Sequence, residues 1–198
     1  MAGSVIRLFV DYFSVDVESS GPVPGIHNLL SIGVTHVRKF EGKYQPFEDF
    51  YCELKPIFDG YLPAAMRIHG LDAELLKEEG LEPESAMRQF SDWVRTRKKS
   101  SKDRPVFVAH NAPFDWMQCA FYFEYTGVKN PFGHSALDTK ALAMGKLNLA
   151  WVQTSLKNVA DKLPNVPQRD ISTLHHAGHD ARYQALVFAD LMNLPKGE

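Results

Sequence analysis

Three segments rich in β-formers open the chain with little between them, and this order constrains the fold more than any other feature. Val5 to Val17, Leu29 to Phe40 and Lys43 to Leu54 are separated by a Gly-Pro-Val-Pro-Gly stretch and a Glu-Gly-Lys turn, the punctuation of chain reversals. They read as an antiparallel meander. Helical patterns follow around Pro63 to Ile68, Asp72 to Glu78 and Pro83 to Arg97, the last with Ala86, Phe90, Trp93 and Val94 on one face. Arg104-Pro105 ends that region. Pro105 to Ala109 is then a continuous apolar run suited to a strand covered on both faces. It leads into a helix, Pro113 to Tyr125, with Phe114, Met117 and Phe121 at helical spacing. Further helices are expected from about Thr139, from about Thr154 and over Gly178 to Met192, the last with Ala181, Ala185, Phe188 and Met192 inward. Strands first and strand-helix units later predict an α/β fold: a mixed β-sheet, antiparallel meander plus parallel strands, flanked by α-helices. With 44% hydrophobic and 12% aromatic residues, 1–198 is expected to form a single domain around one core.

Composition narrows the function classes. No apolar run approaches the roughly 20 residues needed to cross a bilayer. The amino terminus shows neither a basic region nor a small-residue cleavage site, so a soluble cytoplasmic protein without membrane partners is expected. Cys52 and Cys119 stand far apart and read as buried thiols rather than a disulfide or zinc pair. A net charge of -2 and a pI near 6.4 do not announce a nucleic-acid binder. Bound metal ions would supply positive charge where few phosphates need neutralising. The one basic cluster, Arg95, Arg97, Lys98, Lys99, Lys102 and Arg104, reads as a solvated helix end ahead of a substrate-guiding patch.

Three strings carry chemistry. In the first segment Asp16 and Glu18 alternate with Val15 and Val17, so period-two geometry puts both carboxylates on one face near a strand end. Two acids side by side repel, and a hard, oxygen-preferring cation compensates them; an exposed acidic pair on an edge strand is the bland alternative. In the second string, Val-Phe-Val-Ala-His-Asn-Ala-Pro-Phe-Asp, an apolar strand runs into His110 and Asn111, and Asp115 falls in the first turn of a helix. A helix amino terminus alone could explain that aspartate. The third string, Leu174 to Ala181, opens the last helix with His175, His176, His179 and Asp180, and Ala177 and Ala181 leave room for close packing. A zinc site on the three histidines is the competing reading, though no fourth ligand is evident.

Together Asp16-x-Glu18, His110-Asn111-x-x-Phe114-Asp115 and His175-x-Ala177-x-x-Asp180-Ala181 resemble, in order and approximate spacing, the three motifs of the DEDDh exonucleases. That family includes ribonuclease T, oligoribonuclease and polymerase proofreading subunits. Ile68-His69-Gly70-Leu71 and Leu137-Asp138-Thr139 resemble lesser signatures between the motifs. One departure is visible: many members carry threonine where this chain has Ser19, which keeps the hydroxyl and loses a methyl.

The resemblance implies a ribonuclease H-like fold over nearly the whole chain. It also implies Asp16, Glu18, Asp115 and Asp180 as ligands of two divalent cations, Mg2+ or Mn2+, at the 3' end of a single strand, with His175 as general base. Relatives similar to ribonuclease T often pair, so a homodimer belongs to what the resemblance implies. The chemistry agrees. Two cations about 3.5–4 Å apart stabilise the attacking and leaving oxygens of a phosphodiester, and the reference pKa of histidine, about 6.5, suits proton transfer near neutrality. Leu29, Leu30 or Phe114 could stack on a terminal base, with core packing the simpler reading of each. A phosphodiesterase for short oligonucleotides or dinucleotides, and a catalytically idle module binding nucleic acid or a polymerase, are the rival readings. RNA against DNA stays open at this point.

Overall fold

Residues 10–98 and 104–195 are described by a computed structural model of the chain. Its strands are β1 (Val10–Ser19), β2 (Leu29–Phe40), β3 (Lys43–Glu53), β4 (Arg104–Ala109) and β5 (Ala136–Asp138). They form one sheet in the order β3-β2-β1-β4-β5. β1, β2 and β3 pair antiparallel, as the expected meander does, whereas β4 lies parallel to β1 and β5 parallel to β4. The helices are α1 (Pro63–His69), α2 (Ala73–Glu79), α3 (Pro83–Thr96), α4 (Ala112–Tyr125), α5 (Thr139–Leu147), α6 (Leu156–Ala160) and α7 (Ala177–Asn193). Among the described residues no helix is long and apolar enough to cross a membrane.

Alternation along the strands sorts two apolar layers. Phe13, Val15, Val17 and Phe107 bury their side chains against Ala86, Phe90 and Val94 of α3 and Cys119, Tyr122 and Phe123 of α4. On the opposite face Tyr12, Val106 and Val108 pack under Ala185, Phe188 and Ala189 of α7. The far side of α7 extends that layer, with Val187 and Leu191 meeting Ala143 of α5 and Val159 of α6. Burying each large apolar side chain contributes about 1.5–3 kcal/mol, so both layers hold the sheet firmly. Cys52 and Cys119 are buried free thiols.

Several expectations shift. The first strand was expected from Val5; residues 5–9 lie outside the described ones. On α4, Met117 is exposed, and the buried face runs instead through Asp115, Gln118, Cys119, Tyr122 and Phe123. That helix is apolar almost all round, which blurs its period. Met192 is only partly buried. In the basic cluster Lys99 and Lys102 lie outside the described residues. Arg95 donates to the Lys129 carbonyl, and the Arg97 guanidinium lies 4.0 Å over the Trp93 ring, in keeping with a solvated helix end.

One glycine sets how closely the α7 layer approaches. Gly33 pairs with Asp16 across the β1-β2 ladder, and the first turn of α7 crosses directly above it. A Cβ built on Gly33 would lie 2.0 Å from the Ala177 carbonyl oxygen and 2.4 Å from the Gly178 nitrogen. Both neighbours are backbone and cannot swing aside. Gly33→Ala is therefore expected to lift the start of α7, destabilising the fold by about 1–3 kcal/mol and lowering the melting temperature by about 2–4 °C per kcal/mol. An unchanged melting curve would show that α7 does not rest on this glycine.

Candidate active site

β1 and β4 run parallel, so their carboxyl ends open on the same edge, the place where open α/β sheets bind ligands. Asp16 and Glu18 lie near the end of β1, with Val15 and Val17 turned into the opposite layer, as the alternation predicts. Pairing with β2 shifts register between Glu18 and Ser19, and such irregularities redirect neighbouring side chains. Ser19 uses its hydroxyl to donate to the Gly21 carbonyl at 2.9 Å.

Asp115 enters from the first turn of α4 and is 5% exposed. Its Oδ1 accepts from the Val17 N–H at 3.1 Å, tying the acid to the strand that carries the other two. The turn before α4 explains the His-Asn pair without chemistry of its own. Asn111 takes a left-handed φ of 71°. Asp138 Oδ1 accepts from the Asn111 N–H at 3.0 Å and caps α5 through the Lys140 N–H at 3.1 Å. His110 Nδ1 lies 2.9 Å from the Thr139 hydroxyl, and burial pulls its pKa down to about 4, so the ring is neutral.

Asp180, in the first turn of α7 and 7% exposed, completes the acids. Its Oδ2 accepts from the backbone N–H of His175 at 3.1 Å, and its Oδ1 pairs with the Arg169 guanidinium. His175 holds a left-handed φ of 62° just before the helix. Ligand atoms of Glu18, His175 and Asp180 all lie within 4.8 Å of one another. His176 and His179 are committed elsewhere. The His176 ring stacks between Tyr51 and His179, with 4.4 Å between centroids on each side, and its Nδ1 accepts from the His179 N–H at 3.4 Å. The metal-competent cluster thus takes one histidine of the three, and the zinc reading gains nothing.

Burial is the first cause that holds Asp16 well above the usual carboxylate range, followed by repulsion from Asp115, Asp180 and Glu18; Arg169 acts against it. Burial and then Asp180 push Glu18 up to about 7, and burial likewise raises Asp115. Four acids gathered beside Arg169, which pairs with Asp180, form an all-oxygen donor set next to an imidazole, chemistry that fits hard divalent cations. Two cavities flank Glu18. One, of about 260 Å3, is lined by Val17, Ser19, His69 and Phe114; the other, of about 200 Å3, by Tyr51, His69, Leu71 and His175. Phe114 is half-buried, one side in the core and one on the cavity, whereas Leu29 and Leu30 are wholly core. His69 Nδ1 accepts from the Leu71 N–H at 3.1 Å, and burial lowers the pKa of the ring, with the Ser19 backbone acting against it.

Against this geometry, the Escherichia coli 3'-5' DNA exonuclease Cap18 is 40% identical over 177 residues, covering 89% of this chain and 89% of that protein. The chain belongs to the DEDDh family of 3'-5' exonucleases. It is a hydrolytic enzyme of nucleic-acid 3' ends. Ribonuclease T of Haemophilus influenzae is 30% identical over 195 residues, covering 93% of this chain and 81% of that protein. Among solved structures, the nuclease domain of 3'hExo, a DEDDh family member bound to rAMP, superposes with a TM-score of 0.74 at 12% identity, covering 94% of this chain and 93% of that one. Escherichia coli Exonuclease I in complex with a dT13 oligonucleotide gives 0.65 at 16% identity, covering 92% of this chain and 40% of that one. These two likenesses concern the DEDDh fold, which is ribonuclease H-like. No family model matches the chain.

Arg169, Gln184 and Gly33 were not singled out from the sequence. Gln184 stands four residues after Asp180, a helical spacing that could have found it; for Arg169 no such signal exists. Arg169 occupies the Asp180 oxygen that a cation held there would need, so Arg169→Ala is expected to bind Mn2+ more tightly than wild type in a calorimetric titration without substrate. Weaker binding would show that the arginine assists the cation. In metal-free buffer Asp16→Asn is expected to melt above wild type, since one of the repelling charges is gone. A lower melting temperature would mean that repulsion at Asp16 is already relieved.

Proposed function

We propose that this family member is a two-metal 3'-5' exonuclease that removes nucleoside 5'-monophosphates from single-stranded DNA. Asp16, Glu18, Asp115 and Asp180 would hold the two cations, Mg2+ or Mn2+, and His175 would act as general base, within one exonuclease domain spanning residues 1–198. The observation that carries this reading is the meeting of Glu18, His175 and Asp180 within 4.8 Å, with Asp16 inside the same repelling cluster. DNA is favoured because the relative at 40% identity is named a DNA exonuclease, while the ribonucleases T reach 27–30%.

When bound, the cations supply positive charge for the attacking and leaving oxygens of the phosphodiester. The rest falls to the chain. His175, exposed at the rim, accepts the proton of the attacking water at its imidazole, while its backbone N–H on Asp180 Oδ2 keeps base and acid in one unit. Val17 fixes the Asp115 carboxylate through the N–H that it donates. Phe114 offers an aromatic wall to the terminal base. The His69 ring lines both cavities beside Glu18 and would meet a strand threaded there.

His175→Ala is expected to lower the turnover number by about 10²–10⁴-fold, the range for a lost general base, with Mn2+ binding retained. A larger loss in His176→Ala or His179→Ala would overturn the choice of base. Asp180→Ala is expected to abolish metal-dependent nucleotide release with the fold retained, and near-normal turnover would defeat the metal assignment. A digest of end-labelled single- and double-stranded DNA and RNA and a dinucleotide, with Mg2+, Mn2+ or chelator, is expected to yield mononucleotides fastest from single-stranded DNA. Preferential cleavage of the dinucleotide or of RNA would overturn the substrate.

A further inference from the structure

Gln184 is 5% exposed and bonded at both ends of its amide. Its Oε1 accepts from the backbone N–H of His110 at 2.9 Å, and its Nε2 donates to Asp16 Oδ1 at 2.5 Å. The orientation is set by chemistry: a backbone N–H can only donate, so the amide oxygen must face His110 and the N–H must face the carboxylate. One side chain on α7 thus clamps the end of β4 to the acid of β1, 168 residues away in sequence.

We infer that Gln184 is a positioning residue for the metal site, holding Asp16 so that its other lone pairs face the cluster. This rests on the reading that Asp16 is a metal ligand. Asp16 is well placed to need such help. Its neighbours Glu18, Asp115 and Asp180 all repel it, and a free carboxylate would rotate to reduce that repulsion. A neutral donor on Oδ1 resists the rotation without adding a positive charge to compete with a cation. Groups that orient metal ligands in this way typically contribute 10–100-fold to metal affinity or activity. Asp180 and Gln184 lie one turn apart on α7, so the same helix presents one acid and orients another.

The alternative is that Gln184 merely satisfies the buried His110 N–H. Two variants separate the roles. Gln184→Glu keeps an acceptor for His110 but turns an oxygen toward Asp16 Oδ1, so kcat on a single-stranded oligonucleotide is expected to fall by about 10–100-fold with KM little changed. Gln184→Met removes both bonds, and Mn2+ binding to the substrate-free protein, followed by electron paramagnetic resonance, is expected to weaken about 10–100-fold; raising Mn2+ should then recover kcat. Wild-type kcat in Gln184→Glu, or wild-type Mn2+ affinity in Gln184→Met, would overturn the inference. Asp16→Asn is the control: if it binds Mn2+ as wild type does, the metal-site reading itself fails, whereas if only Asp16→Asn loses Mn2+, the role given to Gln184 falls alone.

Discussion

The backbone contact between the first turn of α7 and Gly33 is the constraint on which the site depends. Gly33 lies opposite Asp16 in the ladder, and its missing side chain lets Ala177 and Gly178 settle onto β2. Asp180, three residues into that helix, is thereby delivered beside Asp16 and Glu18. Ala177 and Ala181, both wholly buried, continue the close fit. Without this approach Asp180 would stand away from the two acids of β1.

The proximity has an electrostatic cost that the fold meets with local donors rather than with countercharge. Val17 holds Asp115, the His175 backbone holds Asp180, and Gln184 holds Asp16. Arg169 adds a positive charge that acts against the repulsion on Asp16. Neutral donors orient carboxylates but leave most of their charge unspent, which is what a cation-binding cluster requires.

Much of this was legible in the sequence, and the reason differs from element to element. The alternation about Asp16 and Glu18 put both acids on one face, since β1 buries its other face under α3 and α4. Asp115 and Asp180 were legible because each follows a helix start marked by its neighbours. β5 was not, because three residues carry no period. Met117 misled because α4 has apolar residues on both sides. Gly33 and Arg169 escaped because each acts through a partner distant in sequence, and Gln184, although one helical turn from Asp180, shows its role only through Asp16, 168 positions away. The left-handed turn at Asn111 and its anchor on Asp138 likewise exist only once β4 and β5 are paired.

α4 and α7 cover opposite faces of the sheet, and each carries an acid in its first turn and hydrophobic residues along the rest. The spacing between Asp115 and Asp180 is consequently held by the packing behind each, α4 on one face of the sheet and α7 on the other. It behaves like the jaws of a caliper whose arms are the two apolar layers. Slackening either layer, even by a substitution far from any acid, opens the jaws, so nuclease competence should be a finer gauge of packing than the cooperative melting of the whole chain.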